Sequence, residues 1–382
     1  MHDLFKERLN DWRNQGLWRE RKLIHSPQQP YLLVNHDKLL SFSSNDYLGL
    51  ANHHKIIEAM RNGLSEFGAG SGSSAMVSGH NKLFHLLEEK FAHYLNLEKA
   101  LHFSTGYMAN IGVLNAITIP ETAIFSDELN HASLIDGIRL AKPQQLHIYK
   151  HNDLSDLESA LRHSTYRNKW IITDGVFSMD GDMAPMTELL RLAEHYNAYI
   201  YVDDAHGFGV MGQTGKGILE QFNIASPRVL YMATLGKAMG VFGAIVAGDA
   251  VLIDWILQKA RTYIFTTGSP PVLAAGSIAA LMLLETDLSY VVKLKQLISY
   301  LAQQLGQFKQ YKSSNSAIHP IIVGSNEEVM RCMDILLQEN IWVPAIRPPT
   351  VAPGSARLRI SLSSQHELSD IDRLVDILVN IL

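Results

Sequence analysis

Several protein classes are excluded by what this chain lacks. Cys332 is the only cysteine in 382 residues, so no internal disulfide can form and no thiolate metal cluster can assemble. A reducing compartment suits such a chain. There is no basic excess either: 33 Lys and Arg stand against 38 Asp and Glu, and the formal charge of −5 lacks the footprint of a nucleic-acid binder. Long apolar runs are missing. The longest, Val272 to Leu284, is interrupted by Gly276 and Ser277 and falls short of the roughly 20 residues of a membrane span. The opening MHDLFKERLNDWRNQGLWRERK is charged and has no apolar h-region, so it does not read as a secretory signal. A cytoplasmic protein with no membrane partner is expected. No internal repeat or low-complexity linker is present, and neither is a Walker A loop, an H-E-x-x-H or a G-x-S-x-G.

What is present describes a folded α/β chain. Apolar residues make up 47% and charged residues 19%, which excludes disorder. Residues 1 to about 22 read as an amphipathic helix, with Leu4, Phe5, Leu9, Trp12 and Leu17 on one side. One or two short strands follow between Tyr31 and Phe42. Beyond the turn residues Asn45, Asp46 and Gly49, short β-branched runs alternate with helical stretches to about residue 285. The clearest strands are Trp170 to Thr173, Tyr199 to Val202 and Val229 to Ala233. Runs that are apolar on both faces and separated by helices indicate a mostly parallel sheet covered on both sides. After residue 285 comes a long helix near Ser289 to Phe308, strand His319 to Val323 and a helix. Strands Trp342 to Ile346 and Arg357 to Leu362 precede a final helix. Capping boxes are expected at Ser325 with Glu328 and at Ser364 with Glu367. The expected division is an N-terminal segment 1–45, a large domain 46–285 and a small α+β domain 286–382.

In open α/β sheets, ligands bind at the carboxyl ends of the strands. The three clearest strands end in chemistry: Asp174-Gly175 with Ser178 beyond, Asp203 with His206, and Thr234 with Lys237. An amine that forms Schiff bases must be partly dehydrated so that its pKa falls toward neutrality. Lys237 lies in ATLGKAMG, among small residues that leave room for a flat ring. A carboxylate beside a pyridine nitrogen keeps it protonated, and that partner is what pyridoxal 5′-phosphate (PLP) requires. Asp203 suits the role, and His206 can reach the ring's phenolic oxygen. Ser104-Thr105-Gly106-Tyr107 precedes a helical run and offers backbone N–H groups to a phosphate.

Blander readings compete at each position. Lys216 in TGKG is the rival lysine, but its glycine-rich setting reads as an exposed turn. Asp203 and Asp204 also read as strand-end caps. With 17 histidines, residue type alone selects none of them. Gly68 to Gly79 reads either as a packed active-site loop or as a flexible surface loop. Gly207, Gly209 and Gly212 form a G-x-G-x-x-G behind a strand, yet more glycine follows in place of a helix, so a dinucleotide site is not expected. A metal hydrolase built on Asp203, Asp204 and His206 is disfavoured because adjacent strand residues face opposite ways.

Six blocks together resemble the α-oxoamine synthase family of fold-type I PLP enzymes. They are SNDYLGL (44–50), LNHASLIDG (129–137), DGVFSMDGD (174–182), VDDAHGFG (202–209), ATLGKAMG (233–240) and RPPTVAPGSARLRIS (347–361). The resemblance covers almost the whole chain. It implies a homodimeric transferase in which Lys237 carries PLP as a Schiff base and removes the α-proton of an amino acid. Asp203 would pair with the pyridine nitrogen and His206 with the phenolic oxygen. His131 would stack on the ring and assist decarboxylation. Ser178, Thr234, Gly106 and Tyr107 would contact the cofactor, and Thr266 and Thr267 would reach the phosphate of the neighbouring subunit. Arg347 would hold the substrate α-carboxylate through a bidentate contact, while Thr350 and Arg19 would bind the acyl substrate. The IRPPTV segment is most similar to members that join L-alanine to a pimeloyl thioester, carried by coenzyme A or an acyl-carrier protein, in biotin synthesis. The alternative is a member joining glycine to another acyl thioester. Two blocks depart from the family pattern. V-P-x-G-T reads Val351-Ala352-Pro353-Gly354-Ser355, and the glycine-rich loop carries Ala75 and Met76 where many relatives have an arginine.

Overall fold

The computed structural model describes residues 1–382. They form two compact units. The larger comprises Leu48–Ser178 and Asp182–Val292; the smaller comprises Met1–Tyr47, Met179–Gly181 and Lys293–Leu382. The N-terminal segment therefore clusters with the C-terminal residues instead of standing alone. The physical reason is strand pairing: the hairpin Tyr31–Val34 and Asp37–Ser41 accepts Ile341–Trp342 as a parallel third strand.

The larger unit is built on a seven-stranded sheet. Its order is Lys99–Phe103, Ala244–Gly248, Val229–Thr234, Tyr199–Asp203, Asn168–Asp174, Thr122–Asp127 and Gln145–Tyr149. All neighbours are parallel except Ala244–Gly248, which runs against both of its partners. The strands carry apolar residues on both faces because helices cover both. Ile124, Ile172, Tyr201, Met232 and Val246 are all buried and pack in one cluster with Val113 and Leu114 of helix Gly106–Ile117. Each such side chain contributes roughly 1.5–3 kcal/mol by leaving water. Parallel strands end together on one rim, and Asp174 lies directly beside Asp203 there.

The smaller unit holds a second sheet, in which Ala356–Ser361 pairs antiparallel with Ile318–Gly324 and with Ala345–Ile346. The single strand expected from Trp342 to Ile346 is split. Pro344 has no N–H to offer a ladder, and the chain leaves one sheet after Trp342 and joins the other at Ala345. Arg357 and Arg359 are buried in their strand. Arg357 donates to the carboxylate of Asp180, and Arg359 to Asn45 and to Ser361 Oγ at 2.8 Å.

Two local expectations change and one holds. The first helix runs only over His2–Asn14, and none of its residues is buried. It stops where Gly16 takes φ +65°, a conformation that suits glycine. Ser325 caps its helix through the N–H of Glu328 at 3.1 Å. The last helix, however, is capped by Glu367 and Asp370 reciprocally, not by Ser364. No single helix is long and apolar enough to cross a membrane; Pro271–Thr286 and Ser289–Leu305 qualify only as a pair bent by 74°.

Candidate active site

The sheet's carboxyl rim opens on a cavity of about 190 Å³ within the larger unit. Lys237, Asp203, His206, His131, Ser178, Thr234, Gly106 and Tyr107, all singled out from the sequence, line it together. Asp203 and Thr234 close strands, Gly106, Tyr107 and His131 stand at helix starts, and Ser178, His206 and Lys237 lie in turns three or four residues past a strand end.

Lys237 sits in the connection 235–243 between two antiparallel strands. Backbone bonds close this connection: Leu235 N–H to Gly243 O at 2.8 Å, Val241 N–H to Leu235 O at 2.9 Å and Gly240 N–H to Lys237 O at 2.8 Å. At Gly243, φ is +114° and an added Cβ would lie 2.6 Å from His102 Nε2, so only glycine lets the turn pass. The Lys237 amine lies 2.8 Å from His206 Nε2. Thr234 Oγ1 donates to Gly243 O at 3.1 Å and ties the strand end to the turn.

Asp203 is buried and fully engaged. It accepts from Asn110 Nδ2 at 2.7 Å and from the Ala205 N–H at 3.0 Å. Asn110 is itself locked by Ser133 Oγ at 2.8 Å and by the Tyr201 hydroxyl, which donates to its Oδ1 at 2.6 Å. Sequence reading missed Asn110. Its signal was a carboxamide inside an apolar helix, one turn beyond Gly106 and so on the same face. The neighbouring Asp174 accepts from the His131 N–H at 3.0 Å. Burial first, and then the charge of Asp203, raise its carboxyl well above the usual range.

His131 begins helix Ala132–Ala141, where its Nδ1 accepts the Ser133 N–H at 3.2 Å. In the neutral ring the proton therefore sits on Nε2. Burial lowers its pKa, with Asp203 opposing and Lys237 reinforcing, so the ring is neutral at pH 7. Across the cavity, helix Gly106–Ile117 starts at Gly106, with Thr105 Oγ1 accepting the Met108 N–H at 3.0 Å. The leading N–H groups of this helix form an anion cradle. An amine, a buried carboxylate, a flat neutral imidazole and a phosphate cradle around one space are the donor set that PLP needs. The residues fit the group.

The rival readings lose their geometry. Asp204 points away from the cavity, accepting from the Ile218 N–H and the Tyr231 hydroxyl, each at 2.7 Å, so it shares no metal with Asp203. Burial raises its carboxyl to about 7. Of the G-x-G-x-x-G glycines, only Gly207 makes room for this side chain: a Cβ there would lie 1.9 Å from Asp204 Oδ1, whereas Gly209 packs on Ala238 and Gly212 on Glu220. The helix that follows is only Ile218–Gln221, so no dinucleotide cradle forms. Lys216 lies over the Tyr94 ring at 4.9 Å and does not line the cavity.

Other expected residues lie elsewhere. Thr266 and Thr267 line a separate cavity of about 30 Å³ beside Gly79 and Gly268, where the glycine-rich loop packs through the Gly268 N–H to Ser73 O at 2.9 Å. Arg19, Arg347 and Thr350 belong to the smaller unit and line a cavity of about 670 Å³ there. Arg347 donates to the carbonyls of Gly16 and Trp18.

His151 steadies the turn that delivers His131. It bridges Asp127 at 3.0 Å and Asp182 at 2.8 Å, and Asp127 also accepts the Leu129 N–H at 2.9 Å. Desolvation opposes its charge, but the two carboxylates outweigh that and raise its pKa to about 9. A raised histidine pKa stabilises the fold fully below its unfolded value near 6.5 and loses this effect as pH rises through 9. His151→Gln is therefore expected to cost about 2–4 kcal/mol at pH 6 and progressively less toward pH 10, measured by urea unfolding. An equal cost at both pH values would contradict the pairing.

Comparison with known proteins bears on the whole chain. Residues 37–378 match the profile of the family described as aminotransferase class I and II. An 8-amino-7-oxononanoate synthase from Methylobacillus flagellatus is 48% identical over 98% of this chain and 95% of its own. The solved 8-amino-7-oxononanoate synthase from Francisella tularensis is 30% identical, with a TM-score of 0.77 over 90% of this chain and 97% of that one. A serine palmitoyltransferase from S. paucimobilis, solved with bound PLP-myriocin aldimine, superimposes with a TM-score of 0.91 at 24% identity, over 98% and 95% of the two chains. That likeness is one of fold: the fold-type I PLP-dependent transferase architecture.

Proposed function

Because the chain belongs to the aminotransferase class I and II family, and within it to the 8-amino-7-oxononanoate synthases, we propose that it condenses L-alanine with a pimeloyl thioester. The products are 8-amino-7-oxononanoate, CO2 and the free thiol, a step of biotin biosynthesis. The observation that carries this reading is the single cavity that gathers Lys237, Asp203, His206 and His131.

When bound, PLP supplies an electron sink for negative charge at the carbon beside the amino group. The protein's groups do the rest. Lys237 would hold the cofactor through its amine, and the same amine would move the α-proton of alanine. His206, 2.8 Å from its Nζ, keeps the amine aimed. Asp203 holds a proton on the pyridine nitrogen, and the Asn110 carboxamide fixes the orientation of its carboxylate. The helix-start N–H groups at Gly106 and Tyr107 take the phosphate; Ser178 and Thr234 add side-chain contacts. His131 would pack on the ring, and its Nε2–H can donate to a carbonyl or carboxylate oxygen as charge develops there, which would assist loss of CO2.

The remaining roles rest on the RPPT motif and the family pattern. Arg347 offers a planar bidentate donor to the amino-acid carboxylate, exchanging its backbone carbonyl partners for substrate. Arg19 and Thr350 bind the acyl substrate. Thr266 and Thr267 serve the phosphate of a partner subunit in a cytoplasmic homodimer. The acyl carrier is coenzyme A or an acyl-carrier protein.

Substrate choice is tested by offering alanine and glycine against pimeloyl, acetyl and succinyl thioesters and following thiol release. Alanine with the pimeloyl thioester is expected to exceed every other pair in kcat/KM by roughly tenfold or more. A preference for glycine with the acetyl thioester would move the chain to another α-oxoamine synthase activity.

A further inference from the structure

We propose that His80, His85 and Glu88 form a binding site for a divalent transition-metal ion of the zinc class. Their ligand atoms lie within 4.8 Å of one another. The arrangement follows from the start of helix Lys82–Leu95. Asn81 is its N-cap, accepting the Leu83 N–H at 3.0 Å and the Phe84 N–H at 3.4 Å. His80 therefore occupies the position before the cap and His85 the fourth helical position. These two positions meet in a hydrophobic staple, where apolar side chains normally stand. Here the pair is two imidazoles, edge to face with ring centres 6.0 Å apart. Glu88 lies one turn beyond His85, at the i,i+3 spacing that shares a face.

Two further observations favour an ion over a mere ring contact. Glu88 is partly buried, and its Oε1 accepts the His102 N–H at 2.8 Å, which fixes one oxygen of the carboxylate. A half-buried carboxylate with one fixed oxygen is held in place for a cation and gains from it. Glu89 lies 3.2 Å from His85 Nε2 and offers the ring the carboxylate partner that orients metal-bound histidines. Two imidazoles and one carboxylate are a zinc-type donor set that leaves a fourth position for water. Zinc bonds of about 2.0–2.2 Å need the three groups to draw together by about 1 Å. Rotamer shifts of the exposed His80 and His85 suffice. The ion would clamp the end of the glycine-rich loop to the helix, since His80 directly follows the turn Ala75–Gly79.

The test uses PLP-loaded protein stripped with a chelator, dialysed and titrated with Zn2+ or Co2+. About one equivalent is expected to bind, and the cobalt form should show the intense visible bands of low-coordinate nitrogen and oxygen ligation. His80→Ala and His85→Ala, at exposed positions, should each weaken binding by roughly tenfold or more while keeping the native circular dichroism. His163→Ala, at a surface histidine on another helix, should change nothing. Absence of stoichiometric binding, or binding of equal strength in both variants, would overturn the assignment. Alanine–pimeloyl turnover is read separately, so failure of the metal site and failure of the catalytic reading are told apart.

Discussion

Lys237→Ala is expected to abolish turnover, with kcat lower by roughly 10⁴-fold or more, while the protein still folds. In the proposed mechanism one amine both bonds the cofactor and moves the α-proton, so its removal deletes covalent attachment and general base together. The fold should tolerate the change. The 235–243 turn is closed by backbone hydrogen bonds, and its flanking strands are held by their own ladders. The variant should unfold within a few degrees of the parent and should lose the visible absorbance of attached cofactor. Substantial residual turnover with an intact fold would place the reacting amine elsewhere.

Asp203→Asn is expected to lower kcat by about 10²–10³-fold with little loss of stability. The substitution keeps shape and removes charge, so it isolates the electrostatic contribution. Loss of one preorganised charge contact typically costs about 2.7–4 kcal/mol at a transition state. One feature of the site limits the loss. Asp203 helps raise the carboxyl of Asp174 beside it. With that charge gone, Asp174 ionises more readily and restores part of the field, so the double variant Asp174→Asn/Asp203→Asn should fall further than the single. Steady-state kinetics on alanine and the pimeloyl thioester, with cofactor content measured in parallel, check both. A single variant within about threefold of the parent would contradict the role of Asp203.

Much of the site was legible because its chemistry stands at strand ends. Asp174, Asp203 and Thr234 each close an apolar run, and parallel strands bring their ends to one rim, so linear order became spatial proximity. Asn110 was missed. A carboxamide inside an apolar helix marks the position as unusual, but its contact with Asp203 follows from the helix packing against the sheet, a tertiary relation that this local signal does not specify. The break at Pro344 was missed for a related reason: periodicity registers extended chain but not which sheet it joins. Ser364 with Glu367 satisfied the spacing of a capping box. Glu367 with Asp370 satisfies it as well, three residues later, and wins by closing both bonds. The stripe of Leu4, Phe5, Leu9 and Trp12 predicted a helix correctly, but amphipathicity does not say that a partner surface is present, and these residues stay exposed. The role proposed for Thr266 and Thr267 depends on a second subunit, and within one chain they line a different cavity.

Everything proposed for catalysis depends on where vitamin B6 attaches. Borohydride reduction of the cofactor-loaded protein, followed by proteolysis and mass spectrometry, should find one stable pyridoxyl modification, on the ε-nitrogen of Lys237. Recovery of that modification on Lys216 or any other lysine, or on none, would contradict the assignment.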